Sequence, residues 1–435
     1  MILAERFNYP PEYLERSRQA LEVALATAPA YRGWRQRDPG PTADINARYD
    51  ALPELTKQMI RDSFPYGLVP NGRDVQQGLE NDEIQYTFTS GATGDRVTNI
   101  WDQNWWDRAE QASWQLNAHL AALPYPVRQA ELASSLNVGI SCEEDLPYEA
   151  RIVGQKLYLN EKINLVQWLP RHYQRMAAEL ERWQPVVLEA NPALLARLAF
   201  WALDHDLALY QPQAIIFTYE FVSVIHQAAI AAVFDAPQIS SFGTTETGFV
   251  LQECEDGQLH QNLDFCRIDF YPLRPEQGGP ELGRILVTTF QNPWNSVVRF
   301  DTGDLVRLAD SGSCSCGRQQ GLLARAVEGR VTNLTFTTAG RLVTTGELDQ
   351  TLARVPGIRD YHLEQNSPND YLVQLMVGSY SNPRQIMDES RERLQELYGD
   401  GHFELAILPN ILPGPAGKFR RTQANFDYDL GGLFQ

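Results

Sequence analysis

The stretch "TFTSGATGDR", from Thr87 to Arg96, holds two glycines and four hydroxyl side chains but no lysine. It follows the strand-like "DEIQY" and precedes a tryptophan-rich pattern that predicts a long helix, and this order of strand, loop and helix favours an α/β layer architecture. Gly91 and Gly94 allow the backbone to approach a ligand closely, so the loop can wrap a polyphosphate. The alternative is a plain turn whose Ser and Thr side chains cap the next helix.

Two common phosphate motifs do not fit this loop. A nucleotide P-loop needs Lys and then Ser or Thr after its last glycine, whereas Asp95 and Arg96 follow Gly94. The dinucleotide fingerprint needs three glycines at another spacing. The loop therefore belongs to neither class.

Length and charge limit the classes of partner. The chain has 435 residues, enough for one large domain with a smaller companion, and 37 basic against 55 acidic residues give a net charge of −18. Such a charge repels nucleic acid and anionic membranes. Because we find neither a charged leader nor a long apolar run, we expect a cytoplasmic protein.

The remaining pattern alternates strands and helices and then changes character. Strands are predicted at "PVVLEA", "AIIFTYE", "PQISSFG" and "GRILVTTF", and helices at "PPEYLERSRQALEVALATAP", "NPALLARLAFWALDH" and "VSVIHQAAIAAVF". From Val331 onward the chain has short strands and one late helix, "NPRQIMDESRERLQEL". We expect a boundary near Arg330, with a large domain over residues 1–329 and a small α+β domain over residues 330–435.

Three further segments supply groups that a bound nucleotide needs. "SSFGTTETGF" places Thr244, Thr245 and Glu246 after a predicted strand, where hydroxyls and a carboxylate can meet a phosphate and its Mg²⁺. "VVRFDTGDLVRL" places Asp304 where a carboxylate can accept both hydroxyls of a ribose. "LPGPAGKFRRTQ" carries Lys418 on a loop rich in Gly and Pro. Lysine is otherwise scarce, occurring only at positions 57, 156 and 162.

Together these segments resemble the adenylate-forming superfamily, and within it the phenylacetate-CoA ligase-like branch. "LPELTKQMIRDSFPYGL" is similar to the N-terminal signature of that branch. "AIIFTYEF" occupies the place of the strand end at which the branch has glycine, alanine and glutamate. "SCSCGR" is similar to the cysteine-containing turn of the branch. The resemblance implies a large AMP-binding domain with mixed sheets and a mobile C-terminal lid. It also implies ATP- and Mg²⁺-dependent activation of a small aromatic carboxylic acid to an acyl-adenylate, followed by thioester formation with coenzyme A.

The resemblance also assigns roles by position. Lys418, Glu246 and Thr245 would be catalytic, with Glu246 holding magnesium and Thr245 near the α-phosphate. Residues implied to bind ATP or AMP are Thr89, Ser90, Gly91, Thr93, Gly94, Glu220, Thr244, Asp304 and Arg330. The acid would lie near Thr218 and Tyr219, the loop of residues 242–244, and residues 137–145.

Departures from the family pattern keep two alternatives open. Asp95 stands where the family usually has lysine, and Val331, Thr332 and Asn333 replace paired aspartates after the hinge arginine. The following "TTAGRLVT" differs from the segment that reshapes the site for thioester formation. The chain could therefore pass its acyl group to an amine or a carrier-protein thiol, or could be a nucleotide-binding sensor with reduced catalysis.

Three cysteines and one histidine, residue types that bind zinc, occur as two pairs. Cys254 and His260 form one pair, and Cys314 and Cys316 form another about sixty residues later. A Cys₃His set is typical of structural zinc, although reduced, unlinked thiols are the alternative. We expect Cys266 as a substitute ligand and Cys142 as a buried core thiol.

Two further expectations concern packing and assembly. His226 is predicted to be a packing residue on a helix face. A homodimer is compatible with the sequence.

Overall fold

The computed structural model describes residues 6–89, 97–135, 142–379, 381–414 and 417–435. Its α-helices are α1 Pro11–Thr27, α2 Ile45–Asp50, α3 Lys57–Ser63, α4 Val75–Glu80, α5 Gln103–Trp114, α6 Ala118–Ala121, α7 Pro170–Trp183, α8 Pro192–Asp204, α9 Val224–Ala231, α10 Thr345–Leu352 and α11 Pro383–Tyr398. Its strands are β1 Gln85–Phe88, β2 Thr98–Trp101, β3 Gln129–Leu132, β4 Ile152–Val153, β5 Lys156–Tyr158, β6 Val187–Ala190, β7 Ala214–Phe217, β8 Gln238–Thr244, β9 Gly248–Glu253, β10 Leu259–Gln261, β11 Cys266–Pro272, β12 Leu282–Thr289, β13 Phe300–Leu308, β14 Leu323–Arg330, β15 Thr335–Phe336, β16 Leu342–Val343, β17 Ile358–Ser367, β18 Asp370–Val377, β19 His402–Ile407 and β20 Thr422–Ala424. The fold class is mixed α/β, as predicted.

The chain divides into two compact units, each built from separate segments. The first comprises Met1–Ala122, Ser241–Pro272 and Glu281–Ala326. Its sheet runs in the order β11, β12, β13, β14, β10, β9 and the end of β8, and the pairs from β8 to β9, β9 to β10 and β11 to β12 are antiparallel. A core that includes Leu21, Tyr31, Tyr49 and Phe300 packs beside this sheet.

The second unit comprises Leu123–Ser240, Leu273–Pro280 and Val327–Gln435. One of its sheets joins the start of β8 to β7, β6, β3 and β5 in parallel, with β4 added antiparallel at the edge. Its other large sheet has the order β19, β18, β17, β20. The boundary near Arg330 remains a prediction, because each of the two units combines three separate segments of the chain rather than one stretch before and one after that residue.

Local sequence explains why the helices of the second unit begin where they do. Asn191 accepts hydrogen bonds from the N–H groups of Ala193 and Leu194, and Pro192 occupies the first helical turn of α8. Asn382 caps α11 in the same way, again with proline following. Both pairings satisfy N–H groups that a helix start leaves free. Helix α8 is apolar on nearly every side, which explains its burial against the parallel sheet.

One predicted segment differs from the structure. The sequence after the glycine loop was expected to continue directly into a helix, but Thr98–Trp101 forms β2, which pairs antiparallel with β1. The β-branched residues Val97, Thr98 and Ile100 favour a strand. The helix α5 begins only after Asp102, whose side chain accepts the N–H of Trp105. No helix of the described residues is both long and apolar enough to cross a membrane.

Candidate functional site

The glycine loop connects two paired strands of the first unit. Thr89 closes its described end: its N–H donates to the Val97 carbonyl at 2.9 Å, and its hydroxyl accepts the Val97 N–H at 2.9 Å. The predicted phosphate contacts Ser90, Gly91, Thr93 and Gly94 lie outside the described residues, as do Asp95 and Arg96. The strands β1 and β2 on either side of these residues form an antiparallel pair.

A tight turn in the first unit presents the segment from Thr244 to Glu246. Strands β8 and β9 pair directly, with Thr244 opposite Gly248, and the Thr244 hydroxyl lies 3.0 Å from that of Thr247. Glu246 is only 3% exposed, and its Oε1 has no hydrogen-bond partner among the described residues. A buried carboxylate oxygen without a partner is costly unless a cation or donor arrives. Glu246 therefore fits the predicted role of magnesium ligand.

Asp304 belongs to β13 of the same unit and is buried. Its N–H donates to the Thr302 hydroxyl at 3.2 Å, and Gly303 has a φ of +72°, which bends the strand before the carboxylate. The turn of "DTGD" is made instead by Asp301, which accepts the Gly303 N–H at 2.9 Å. Asp304 follows this turn within β13.

In the second unit, the structure brings Lys418 to Glu220. Glu220 lies just beyond the carboxyl end of β7, where ligands of parallel sheets commonly bind. Its Oε1 accepts the backbone N–H of Phe419, the residue after Lys418, at 3.1 Å. Burial raises the pKa of Glu220 to about 7, although the Lys418 ammonium and the Phe419 N–H oppose the rise. Two residues that are 198 positions apart in sequence therefore share one electrostatic environment.

Arg330 is the last residue of β14 and belongs to the second unit. It is half-buried and is followed by a 3₁₀ turn, Val331–Asn333. The residues that replace the paired aspartates of the family pattern therefore form this regular turn.

Sequence reasoning missed a charged cluster on the parallel sheet of the second unit. Lys156 Nζ donates to Glu131 at 3.1 Å and to Glu189 at 2.9 Å. The Tyr219 hydroxyl donates to Glu131 at 2.7 Å, and the Thr218 hydroxyl donates to Glu189 at 3.1 Å. Glu131, Lys156 and Glu189 stand in three different strands, and Thr218 and Tyr219 follow a fourth, so no local motif could have indicated the cluster. Of the expected acid-binding residues, Thr218 and Tyr219 therefore lie at this cluster, and residues 137–141 lie outside the described residues.

The four predicted zinc ligands lie together in the first unit. The Sγ atoms of Cys254 and Cys314 are 3.7 Å apart, Cys316 Sγ is 3.3 Å from His260 Nε2, and all four ligand atoms lie within 4.8 Å of one another. Tetrahedral zinc with bonds of about 2.3 Å to sulfur would place two thiolates roughly 3.8 Å apart. Burial lowers the pKa of His260 to about 4, which leaves its imidazole neutral at pH 7. These distances and this protonation state fit the predicted Cys₃His zinc site.

An ion pair stabilises the loops around this group. Arg318 donates to both oxygens of Glu255 at 2.9 and 3.0 Å, and Glu255 also accepts the N–H of Ala118 at 2.9 Å. Glu255 follows the ligand Cys254, and Arg318 follows Cys316 by two residues. The pair therefore links the two segments that carry the thiols.

Two expectations about the other cysteines were wrong. Cys266 is fully buried and its thiol faces the carbonyls of Asn262 and Val250, away from the four-residue group, so it cannot serve as a substitute ligand. Cys142 is half-buried and does not form a core thiol. His226 does lie buried on helix α9, but its neighbours are charged.

Comparison with solved structures gives fold matches over most of the chain. The structure of 2-hydroxyisobutyryl-CoA ligase in the postadenylation state, in complex with 2-HIB-AMP, has a TM-score of 0.72 at 16% identity and covers 97% of this chain and 91% of that one. The same ligase in complex with 2-HIB-AMP and CoA, in the thioesterification state, has a TM-score of 0.56 at 18% identity, over 95% and 89% of the chains. An anthranilate CoA ligase in complex with anthranoyl-AMP has a TM-score of 0.52 at 13% identity, over 78% and 66%.

These matches establish the fold of the adenylate-forming enzymes, which the sequence resemblance predicted. Neither protein-family models nor curated sequences give a match. The assignment to the phenylacetate-CoA ligase-like branch stays a prediction.

Proposed function

We propose that this chain, which has the fold of adenylate-forming acyl-CoA ligases, uses ATP and Mg²⁺ to activate a small aromatic carboxylic acid and then forms a thioester with coenzyme A. The observation that carries the proposal is the hydrogen bond from the Phe419 N–H, next to Lys418, to Glu220 at the carboxyl end of β7, where the charge of Lys418 lowers the pKa of that buried carboxyl. A lysine brought to a buried carboxylate by a remote loop suits a site where negative charge must be offset.

The first step joins two anions. A carboxylate oxygen of the acid attacks the α-phosphorus of ATP, the bond from that phosphorus to the oxygen bridging the β-phosphate breaks, and pyrophosphate leaves. Lys418 would donate to the acid carboxylate and to that bridging oxygen, which reduces repulsion between the reactants. No side chain needs to act as a general base, because the attacking group is already ionised.

Other side chains would bind the nucleotide. Glu220 would face the adenine, and Asp304 would accept the ribose hydroxyls, with Arg330 near the ribose and phosphates. The hydroxyls of Thr244 and Thr245 would donate to the α-phosphate, and Thr89 with the glycine loop would bind the β- and γ-phosphates. Glu246 would hold Mg²⁺, which supplies positive charge to the phosphates. The unpartnered buried Oε1 of Glu246 supports this role.

In the second step, the thiol sulfur of coenzyme A would attack the acyl carbon. The bond from that carbon to the adenylate oxygen breaks, AMP leaves, and the thiol proton passes to solvent. The acid would lie near Thr218 and Tyr219, beside the charged cluster of the parallel sheet.

A different acyl acceptor is the second candidate. It is favoured by the departures after Arg330, where Val331–Asn333 forms a 3₁₀ turn and the following residues form the hairpin of β15 and β16. In that case an amine or a carrier-protein thiol would take the place of coenzyme A.

Acid-dependent exchange of labelled pyrophosphate into ATP tests the first step, with a panel of aromatic, aliphatic and amino acids. Exchange with any acid supports adenylation, and no exchange with the whole panel would favour a nucleotide-binding sensor. Product analysis with and without coenzyme A tests the second step. Equal pyrophosphate release without any thioester would favour the other acceptors.

We also propose that Cys254, His260, Cys314 and Cys316 bind a structural zinc ion. The four ligands would complete its tetrahedron, so no position would remain for a substrate. Metal analysis of the purified protein tests this assignment.

A further inference from the structure

One buried carboxylate of the second unit holds both flanks of the segment that carries Lys418. Asp360 lies in β17 and is 1% exposed. It accepts hydrogen bonds from Arg421, three residues after Lys418, and from Arg197 at 3.3 Å. Arg421, on the C-terminal side of Lys418, therefore shares the Asp360 carboxylate with Arg197 on α8.

Arg197 extends this connection to the residues before Lys418. Its guanidinium donates to the side chain of Asn410 and to the carbonyl of Ile411. One side chain therefore reaches from the Asp360 carboxylate to the chain seven or eight residues before Lys418. The other arginine reaches from the same carboxylate to the chain after Lys418.

Shorter contacts fix the backbone next to Lys418. The Ser134 hydroxyl donates to the Gly417 carbonyl at 2.7 Å, and the Gly414 N–H donates to the Lys418 carbonyl at 2.9 Å. The ring of Phe419 packs against the apolar core of the parallel sheet and lies 5.4 Å from the Arg197 guanidinium. Arg197 thus contacts the segment at both ends.

The groups around Asp360 are consistent with a fixed arrangement. His226 Nδ1 lies 3.2 Å from Arg421, which requires the neutral ring as acceptor, and burial together with Arg421 lowers its pKa to about 3. Despite burial, the two arginines and His226 hold the pKa of Asp360 below its usual value. The nearby Asp349 has its own partners, namely Ser223, Val224 and Tyr361.

We infer that Asp360 is a positioning residue for Lys418: through Arg421 and Arg197 it holds the two flanks of the lysine segment and so fixes where the Lys418 ammonium stands. The inference rests on the proposed function for its catalytic consequence. A displacement of about 1 Å in a reacting group costs roughly 100-fold in rate, so loss of this anchor should reduce the rate of adenylation without removing any group that touches ATP.

The test compares Asp360→Asn with Asp349→Asn in the full-length protein. Asp349 is the matched control, because it is a buried carboxylate of the same unit that acts on Arg421 by charge alone and makes its hydrogen bonds to Ser223, Val224 and Tyr361, outside the lysine segment. Three quantities are measured for each variant: melting temperature, kcat and KM for pyrophosphate exchange, and the acetylation rate of each lysine by acetic anhydride. Since the chain has lysine only at positions 57, 156, 162 and 418, Lys57 and Lys162 serve as internal references.

Asp360→Asn should lower kcat by roughly 100-fold with a smaller change in KM for ATP. It should change the acetylation rate of Lys418 several-fold and leave Lys57 and Lys162 unchanged. Asp349→Asn should lower the melting temperature with neither of the other effects. Equal effects of both variants, or an unchanged Lys418 rate in Asp360→Asn, would overturn the inference.

A second variant covers the case in which Asp360→Asn does not fold. Arg197→Lys keeps the positive charge but cannot reach Asp360, Asn410 and Ile411 together, so its Lys418 acetylation rate should change in the same direction. An unchanged rate would count against the inference. If the parent protein shows no pyrophosphate exchange with any acid of the panel, the proposed function fails. The acetylation rates still decide whether Asp360 positions Lys418.

Discussion

Glu131 and Glu189 stand directly opposite each other on the neighbouring parallel strands β3 and β6, and the ammonium of Lys156 contacts both carboxylates. Each glutamate side chain is 11% exposed, so their repulsion is poorly screened by water. Burial and the charge of Glu189 raise the pKa of Glu131, against the effect of Lys156. The stability of this part of the sheet therefore depends on one lysine.

Replacing that lysine should destabilise the protein in a pH-dependent way. We expect Lys156→Met to lower the free energy of unfolding by about 2 kcal/mol at pH 8. This loss lies between those typical for removing one partner of an exposed ion pair and one partner of a buried ion pair. The loss should be smaller at pH 5.5 than at pH 8, because the raised pKa of Glu131 brings its protonation, which removes the repulsion, to a higher pH than for an ordinary glutamate. Urea unfolding at the two pH values measures both losses, with Lys162→Met as control. A loss of equal size at both pH values would contradict this account.

Removing the Lys418 ammonium should slow the first chemical step. In Lys418→Ala we expect pyrophosphate exchange to fall by roughly 10²–10³-fold, the loss seen when one charge-stabilising donor is removed from a transition state. ATP binding should remain measurable by calorimetry. Lys57→Ala is the control, since that lysine begins helix α3 in the first unit. An exchange rate equal to that of the parent protein would remove Lys418 from the mechanism.

The raised pKa of Glu220 makes a prediction about stability. Its pKa is about 7 in the folded protein against an ordinary 4.5, so the folded state binds more protons than the unfolded state between these values. The free energy of unfolding should therefore fall as pH rises through this window. Glu220→Gln should remove this contribution and make the protein relatively more stable at pH 8 than at pH 5.

Thermal melts across pH 4.5 to 8 test that prediction, with the exposed Glu392→Gln as a control. The difference in melting temperature between Glu220→Gln and the parent protein should grow with pH. A constant difference would mean that Glu220 titrates normally.

Zinc removal should affect stability more than chemistry. Cys314→Ser with Cys316→Ser should lower the zinc content from about one ion per chain to near zero and lower the melting temperature, because structural zinc contributes directly to folding. Cys142→Ser, outside the group, should change neither quantity. A parent protein that contains no zinc after purification in its presence would rule out the metal site.

Several features were predictable because each depends on neighbours in sequence. Helices α1, α8 and α11 and strands β6, β7 and β12 follow from apolar spacing and from prolines and asparagines at helix starts. The order of the glycine loop, Glu246, Asp304 and Lys418 was enough to identify the fold that the solved structures match. The strand β2 was missed, because its pairing with β1 across the loop outweighed the helical pattern that follows.

By itself, the sequence determined the α/β class, the adenylate-forming fold and the residue types available for nucleotide and zinc binding. The tertiary structure alone decided that the chain next to Lys418 hydrogen-bonds to Glu220, that Asp360 binds Arg421 and Arg197 on the two flanks of Lys418, and that Lys156 joins Glu131 to Glu189. The physical reason is that local propensities depend on adjacent side chains, whereas these charges become neighbours only when strands and loops far apart in the chain are packed together. Burial then gives such contacts energies and pKa values that no short motif encodes.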